Sequence, residues 1–235
     1  MLNFILQIQH DENMIKRTEM QKIVNNYDDL RIAVLGSHSA LEIMDGAKDE
    51  GLETIVFCQK GREKPYQRFS RIADEIKILK KFNDMMLVKN QKMLRDTNSI
   101  IVPHRSLTAY LGYKTIENSL KVPIFGNRAL FQAEERSHKK NQYYLLEKAN
   151  IKHPKIFKNP KDINKPAIVK VQEKKRNLER AFFTVSSFSD YKKKSEKKIK
   201  QGMVSKNDLQ NSTIEQLAIG TYLNFNYFYT PISEN

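Results

Sequence analysis

Leu30-Arg-Ile-Ala-Val-Leu-Gly36, followed at once by the polar corner Ser37-His38-Ser39, is the stretch on which the reading of this chain turns. A mostly apolar run that ends in glycine and small hydroxylic residues reads as a buried strand entering a tight turn. Leu41, Met44, Ala47 and Lys48 then recur at helical spacing, and Gly51 stands where that helix should stop. Thr54-Ile-Val-Phe-Cys58 reads as a second strand. Strand, helix and strand in so short a stretch make a βαβ unit, hence a parallel sheet with a right-handed crossover. In such sheets ligands bind outside the carboxyl ends of the strands. His38 is therefore a binding-site candidate from the outset.

The pattern continues outward from there. Gln59-Lys-Gly-Arg-Glu-Lys-Pro-Tyr66 is a polar loop at the carboxyl end of the second strand, and Asp74 to Leu79 reads as a third, short strand. Met85 to Arg95 has helical composition. Ser99-Ile-Ile-Val-Pro103 is another buried strand and runs into a second polar corner, His104-Arg105-Ser106. A helical segment with Leu107, Tyr110 and Leu111 follows, then Val122-Pro-Ile-Phe-Gly126 as a further short strand. Asn127 opens a predicted helix to about Lys148. Strands alternating with helices predict a doubly wound α/β domain over residues 30–127, with residues 1–29 as a helical extension packed on it.

The second half, residues 128–235, changes character. Ile151 to Pro166 holds three of the seven prolines, which marks turns and a domain boundary. Ala167-Ile-Val-Lys-Val171 and Ala181-Phe-Phe-Thr-Val185 read as an antiparallel pair across a charged stretch. Phe188 to Lys200 is a lysine-heavy helix stopped by Gly202, and Ile214 to Ile219 and Tyr222 to Tyr229 are the last strands. This reads as an α+β domain. An aromatic strand so close to Asn235 wants a covering partner, so the domain is expected to be incomplete.

Composition bounds the function. Lys plus Arg number 41 against 27 Asp plus Glu, a net charge of +14 that suits an anionic partner such as a nucleotide, a nucleic acid or a membrane surface. No run approaches the ~18 apolar residues of a membrane helix. Cys58 is the one cysteine and sits in an apolar strand, so it reads as a small buried hydrophobe in a reducing, cytoplasmic setting. The basic helix with Lys192, Lys193, Lys194, Lys197, Lys198 and Lys200 has no arginine and only Tyr191 as an aromatic. It reads as a solvated face rather than as a nucleic-acid contact. A P-loop, a G-x-G-x-x-G fingerprint, an H-E-x-x-H motif and a C-x-x-C pair are all missing from the sequence, and no metal-ligand set is found. What remains is positional. His38 and His104-Arg105-Ser106 follow parallel strands and can face one crevice, where Ser37 and Ser106 could cap the next helices through their hydroxyls and Arg62 or Arg105 could meet a phosphate.

Leu35-Gly-Ser-His-Ser39, Lys60-Gly-Arg62 with Pro65-Tyr66 and Arg68-Phe69, Ile101-Val-Pro-His104 with Ser106, and Val122-Pro-Ile-Phe-Gly-Asn-Arg128 occur in that order. Glu135-Arg-Ser137, Ile168-Val-Lys170, Ile214-Glu215 with Gly220-Thr221, and Tyr227-Phe-Tyr229 with Pro231 extend the series. Over residues 30 to 231 the set resembles the PurP family, the archaeal formate-dependent FAICAR synthetases of the ATP-grasp superfamily. The resemblance implies a pre-ATP-grasp domain followed by an ATP-grasp domain, and a homo-oligomer. It also implies the reaction: ATP and formate give formyl phosphate, which the 5-amino group of AICAR monophosphate attacks to yield FAICAR in purine (IMP) biosynthesis.

Carried over by position, the resemblance makes His38 and Ser106 contacts for AICAR and Arg62 a contact for its phosphate. Lys170 becomes the lysine that holds the ATP phosphates, and Glu215 belongs to the strand beside adenine and ribose. It assigns no catalytic residue here and places the ligands for Mg2+ in a part of the family's chain beyond Asn235. Two departures stand out. Gln172-Glu-Lys-Lys-Arg-Asn-Leu-Glu-Arg180 replaces the family's glycine-rich phosphate loop and has no glycine. Ser137 to Tyr144 fits the family pattern poorly, so Lys139 and Lys140 are only position guesses for a second ATP lysine. Two alternatives stay in play: a non-catalytic relative that binds a purine-pathway nucleotide, prompted by the missing glycine loop, and a basic nucleic-acid-binding protein, prompted by the net charge of +14.

Overall fold

The computed structural model describes residues 14–134, 138–171, 182–221 and 223. Its contacts divide the chain into two compact units, Met1–Leu145 and Leu146–Asn235. The charged stretch 172–181 and, apart from Leu223, the strand read over Tyr222–Tyr229 lie outside the described residues.

The first unit is built on a four-stranded sheet of β1 (Arg31–Leu35), β2 (Glu53–Gln59), β3 (Glu75–Leu79) and β4 (Ser99–Ile101), in the order β3-β2-β1-β4 with every pairing parallel. Period-two alternation assigns each residue to a face. Ala33, Leu35, Ile55 and Phe57 enter one core with Phe82, Met85, Leu94, Leu107, Leu111 and Ile116. Val34, Val56 and Cys58 enter the other with Ala40, Met44, Tyr66 and Ile72. Both faces are covered, which is why β1 and β2 read as continuous apolar runs. Crossover helices supply the cover. In α2 (Ala40–Asp49), Ala40, Met44 and Ala47 are buried, and Gly51 ends it in the left-handed region at φ 74°. It is preceded by α1 (Arg17–Val24). Further on come α3 (Lys64–Arg68), a 3-10 turn at Phe82–Met86, α4 (Val88–Asp96), α5 (Arg105–Leu111) and α6 (Tyr113–Ser119).

Two expectations need correcting. Val122 to Gly126 is not a strand, because it makes a single parallel bridge, Ile124 to Ile101. Pro123 has no N–H to extend the ladder, and Gly126 at φ 92° turns the chain away. Nor does one helix run from Asn127 to Lys148. A 3-10 turn (Arg128–Glu134) comes first, and α7 (Gln142–Lys148) starts afresh where Asn141 Oδ1 accepts the N–H groups of Tyr143 and Tyr144. Arg128 donates to the carbonyls of Ile116 and Val122, and Phe131 packs on the first core. These contacts hold the residues just after 127 to the first unit. Burial pulls the Arg128 guanidinium down to about 10, against the opposing pull of Glu117.

Charged groups gather at the amino end of the parallel strands. Arg31 on β1 bridges to Glu53 on β2 and, at 2.7 Å, to Glu75 on β3. Asp74 accepts from the Thr54 N–H at 2.8 Å and from Lys48 at 2.9 Å. Burial works to raise the Asp74 carboxyl, but hydrogen bonds from Lys48 and Thr54 overcome it and hold it below the usual carboxylate range.

The second unit carries an antiparallel sheet of β5 (Ile156–Phe157), β6 (Ala167–Lys170), β7 (Phe183–Val185) and β8 (Thr213–Gln216), in the order β5-β8-β6-β7. The expected pairing of β6 with β7 is present, with Ala167 opposite Val185. Ala167, Val169, Phe183, Val185 and Ile214 face a core that includes Tyr191 and Ile199 of α8 (Phe188–Lys200). Ser187 caps α8 by accepting from the Asp190 N–H, and Gly202 at φ 68° ends it. A last short helix, α9 (Lys206–Gln210), opens with a Ser205–Asp208 capping box. Lysines of α8 are spent locally: Lys194 donates to the Thr184 carbonyl and Asp190, and Lys198 lies over the Phe183 ring.

Two measurements test this account. A Cβ at Gly36 would sit 2.8 Å from the Cβ of Cys58 and 3.0 Å from Val56 and Tyr66. Gly36→Ala is therefore expected to lower stability by about 1–3 kcal/mol in urea titration, the usual cost of overpacking a core. Because folding depresses the Asp74 carboxyl, its contribution is fully present above the ordinary carboxylate pKa and is lost as pH falls through the lower folded value. Thermal unfolding midpoints should fall below about pH 4, and Asp74→Asn should flatten that part of the profile.

Candidate functional site

The sheet order places the crossovers β1→β2→β3 on one side of β1 and β4 on the other, so the chain changes direction between β1 and β4. At such a switch point the loops leaving two neighbouring strands part and open a crevice. The loops that meet here are Gly36–Ser39 and Val102–Ser106. Gly36 is required by packing, as the close approach to Cys58, Val56 and Tyr66 leaves no room for a side chain. The thiol of Cys58 is buried and pushed up by that burial, so it is a packing residue, as its strand suggested.

His38 is exposed and holds φ 45°, a left-handed conformation that non-glycine residues seldom adopt. Its Nδ1 shares a 2.7 Å hydrogen bond with Ser39 Oγ, and its ring stacks with His104 at 6.4 Å between centroids and 23° between planes. Backbone strain of this kind persists only where the surroundings fix it, and it concentrates at functional sites.

His104 is differently employed. Its Nε2 lies 2.8 Å from the Leu35 carbonyl, and its Nδ1 accepts the Ser106 N–H at 3.3 Å. A backbone N–H can only donate, so the ring proton is on Nε2 and points at Leu35. Burial, with the neighbouring His38 in support, pushes its pKa down, and the bond to Leu35 opposes this only in part. The imidazole is neutral and both nitrogens are committed. This corrects the capping expectation: the cap of α5 is the His104 ring rather than a Ser106 hydroxyl. Ser39 rather than Ser37 precedes α2, without a side-chain cap, while the Ser37 carbonyl accepts from Ala40. Ser106 itself is buried at the base of the second corner.

Arg62 follows β2 on the same edge. Its Nη1 donates to Tyr110 Oη at 3.3 Å, and its guanidinium carbon stands 5.6 Å from the centre of the Phe82 ring. Phe82 and Tyr110 touch with centroids 4.3 Å apart. Neither aromatic was singled out from sequence. The sequence offered only Tyr110 as a polar-tipped ring between Leu107 and Leu111, and the structure leaves it 38% exposed while both leucines are buried.

In the second unit Lys170 and Glu215 form an ion pair between β6 and β8. Ile168 faces Glu215 across the antiparallel ladder, so Lys170, two residues on, shares its face. That face is opposite to the one Val169 and Ile214 turn to the core. Glu215 is only 6% exposed and Lys170 is half-buried, so the ammonium is held at a fixed point by a carboxylate that cannot retreat to water. Lys139 and Lys140 sit in a turn before α7. Among the described residues no group of three or more His, Cys, Asp or Glu could hold a metal ion, and no helix is long and apolar enough to cross a membrane.

Comparison with known proteins gives a family. Residues 32–157 match the model described as "Protein of unknown function (DUF1246)", and residues 190–235 match "Domain of unknown function (DUF1297)". Curated relatives named 5-formaminoimidazole-4-carboxamide-1-(beta)-D-ribofuranosyl 5'-monophosphate synthetase are 41% identical in Methanopyrus kandleri and 38% identical in Methanocaldococcus jannaschii. Each alignment covers 94% of this chain. The chain spans 61% and 60% of the length of those two relatives. Among solved structures, an IMP biosynthesis protein PurP from Thermococcus kodakaraensis superposes with a TM-score of 0.54 at 23% identity, over 80% of this chain and 50% of its own. The biotin carboxylase domain of the Hydrogenobacter thermophilus 2-oxoglutarate carboxylase gives 0.54 at 9% identity, over 81% and 45%. At these identities the structural likeness establishes the fold alone, one shared with PurP and with a biotin carboxylase domain. With more than half of its length matched by the DUF1246 model and with relatives that carry the synthetase name, the chain belongs to the PurP family.

Proposed function

We propose that the chain carries the nucleotide-binding part of an ATP- and formate-dependent ligase that formylates the 5-amino group of AICAR monophosphate to give FAICAR. The observation that carries this reading is the 41% identity over 94% of the chain to a relative named for that product. The geometry supports it. His38 stands exposed at the switch point with its backbone already constrained, Ser106 lies at the base of the facing corner, and Arg62 offers a planar cation on the same edge. A ribonucleotide fits such a rim, with polar base edges meeting the histidine and serine and the 5′-phosphate meeting the guanidinium. His104 shapes the crevice with both ring nitrogens committed to backbone groups.

Lys170 and Glu215 are proposed for ATP. A buried carboxylate that fixes a lysine ammonium prepares positive charge for phosphate oxygens before they arrive, the electrostatic preorganisation that phosphoryl transfer needs. ATP supplies the activation of formate. Among the described residues no cluster of His, Cys, Asp or Glu fits Mg2+. The buried free thiol Cys58 fits a cytoplasmic setting, and a homo-oligomer is part of the proposal. The absence of glycine from Gln172–Arg180 favours one second reading, a chain that binds the nucleotide without turnover.

Calorimetric titration of the chain with AICAR monophosphate is expected to show saturable binding that His38→Ala weakens by about tenfold, the loss of one strong polar contact. Lys170→Met is expected to weaken ATP binding while leaving the AICAR titration unchanged. An AICAR titration indifferent to His38→Ala, or no saturable binding, would overturn the proposal. Steady ADP formation that requires both formate and AICAR would exclude the non-catalytic reading.

A further inference from the structure

Arg62, Phe82 and Tyr110 come from three different crossovers. Arg62 lies in the loop after β2, Phe82 opens the 3-10 turn after β3, and Tyr110 is on α5 after β4. Phe82 is 3% exposed and belongs to the core that holds Phe57, Leu79 and Met85, so its ring is fixed. Tyr110 leans on it at 4.3 Å and a tilt of 35°, which directs the phenol outward to receive Nη1 of Arg62. The guanidinium is thereby held twice, by a hydrogen bond along its edge and by the Phe82 ring beneath it. Because β2 and β4 flank β1, the contact also links the two sides of the strand that leads into the His38 loop.

We infer that Phe82 and Tyr110 form an aromatic clamp that presets Arg62 for the 5′-phosphate of the bound ribonucleotide, which makes Tyr110 a positioning residue of the rim. The inference rests on the reading of the rim as a ribonucleotide site. An arginine on an exposed loop loses much rotamer freedom when it grips a phosphate, and a side chain ordered beforehand loses less on binding. The clamp engages one edge of the guanidinium, and the rest of the fork stays coplanar for a bidentate grip on phosphate oxygens. A lysine could not be held this way, since it offers neither a plane to stack nor a fork to orient.

The test is a calorimetric cycle with wild type, Tyr110→Phe, Arg62→Ala and the double variant, each titrated with AICAR monophosphate and with the corresponding nucleoside. Tyr110→Phe keeps the ring on Phe82, so an unchanged melting midpoint accompanies it. It should weaken monophosphate binding about fivefold, the share of one hydrogen bond, and leave nucleoside binding unaltered. In the Arg62→Ala background the tyrosine substitution should cost nothing further, because its effect passes through the arginine. Equal losses for both ligands, an undiminished loss in the Arg62→Ala background, or no loss at all would overturn the clamp. A wild-type chain that binds neither ligand would overturn the ribonucleotide reading itself.

Discussion

The last rung between β1 and β4 is made by a side chain. The parallel ladder runs in steps of two residues, and the Val102 N–H donates to the Ala33 carbonyl at 3.0 Å. The next step would bring the residue 104 N–H to the Leu35 carbonyl. The Nε2 of His104 makes that bond instead, at 2.8 Å. The backbone is thus free to leave the sheet at Pro103 while the strand end stays satisfied, and the other ring nitrogen starts α5 by accepting from Ser106. One neutral imidazole closes a sheet, caps a helix and supports the His38 ring. The crevice has its shape because the two loops part where this ring replaces backbone.

The first unit divides its labour along the strands. At the amino end charges are paired off: Arg31 ties three strands together through Glu53 and Glu75, and Asp74 gathers Lys48 and Thr54. At the carboxyl end the polar groups are left reachable, as with His38 and the arginine on its aromatic seat. A parallel sheet with both faces buried has only its two ends for polar work, and here one end pairs its charges while the other leaves polar groups reachable. The second unit separates the same duties by face, with Val169 and Ile214 turned to the helix-covered core and Lys170 with Glu215 on the reverse.

The parts of this arrangement visible in sequence were those governed by period and by punctuation. The apolar run ending at Gly36 marked β1, and the helical patterns stopped by Gly51 and Gly202 marked α2 and α8 closely, since burial on both faces or on one helical stripe leaves a pattern in the residues themselves. What failed to show was decided by single backbone groups. Pro123 reduced an apolar run to one bridge, and Asn141 restarted a helix that composition alone would have carried through. At the site, position after a strand was enough to mark His38 and His104, but not to tell their roles apart. That distinction rests on which atoms the ring nitrogens meet, and the partner of His104 lies 69 residues away in the chain. The seat of Arg62 was hidden for the same reason, because its aromatic neighbours are brought together by three separate crossovers.

That distance has a bearing on how the crevice comes into being. Strand β2 follows β1 after one helix, so their pairing closes a short loop, whereas the His104 rung must bring together groups 69 residues apart. Closing a longer loop costs more chain entropy, and contacts that are distant in sequence tend to be late in assembly. The rim of the crevice is therefore the part of the first sheet whose order depends on the rest being in place. The strands can exist without the crevice, but the crevice cannot precede the strands.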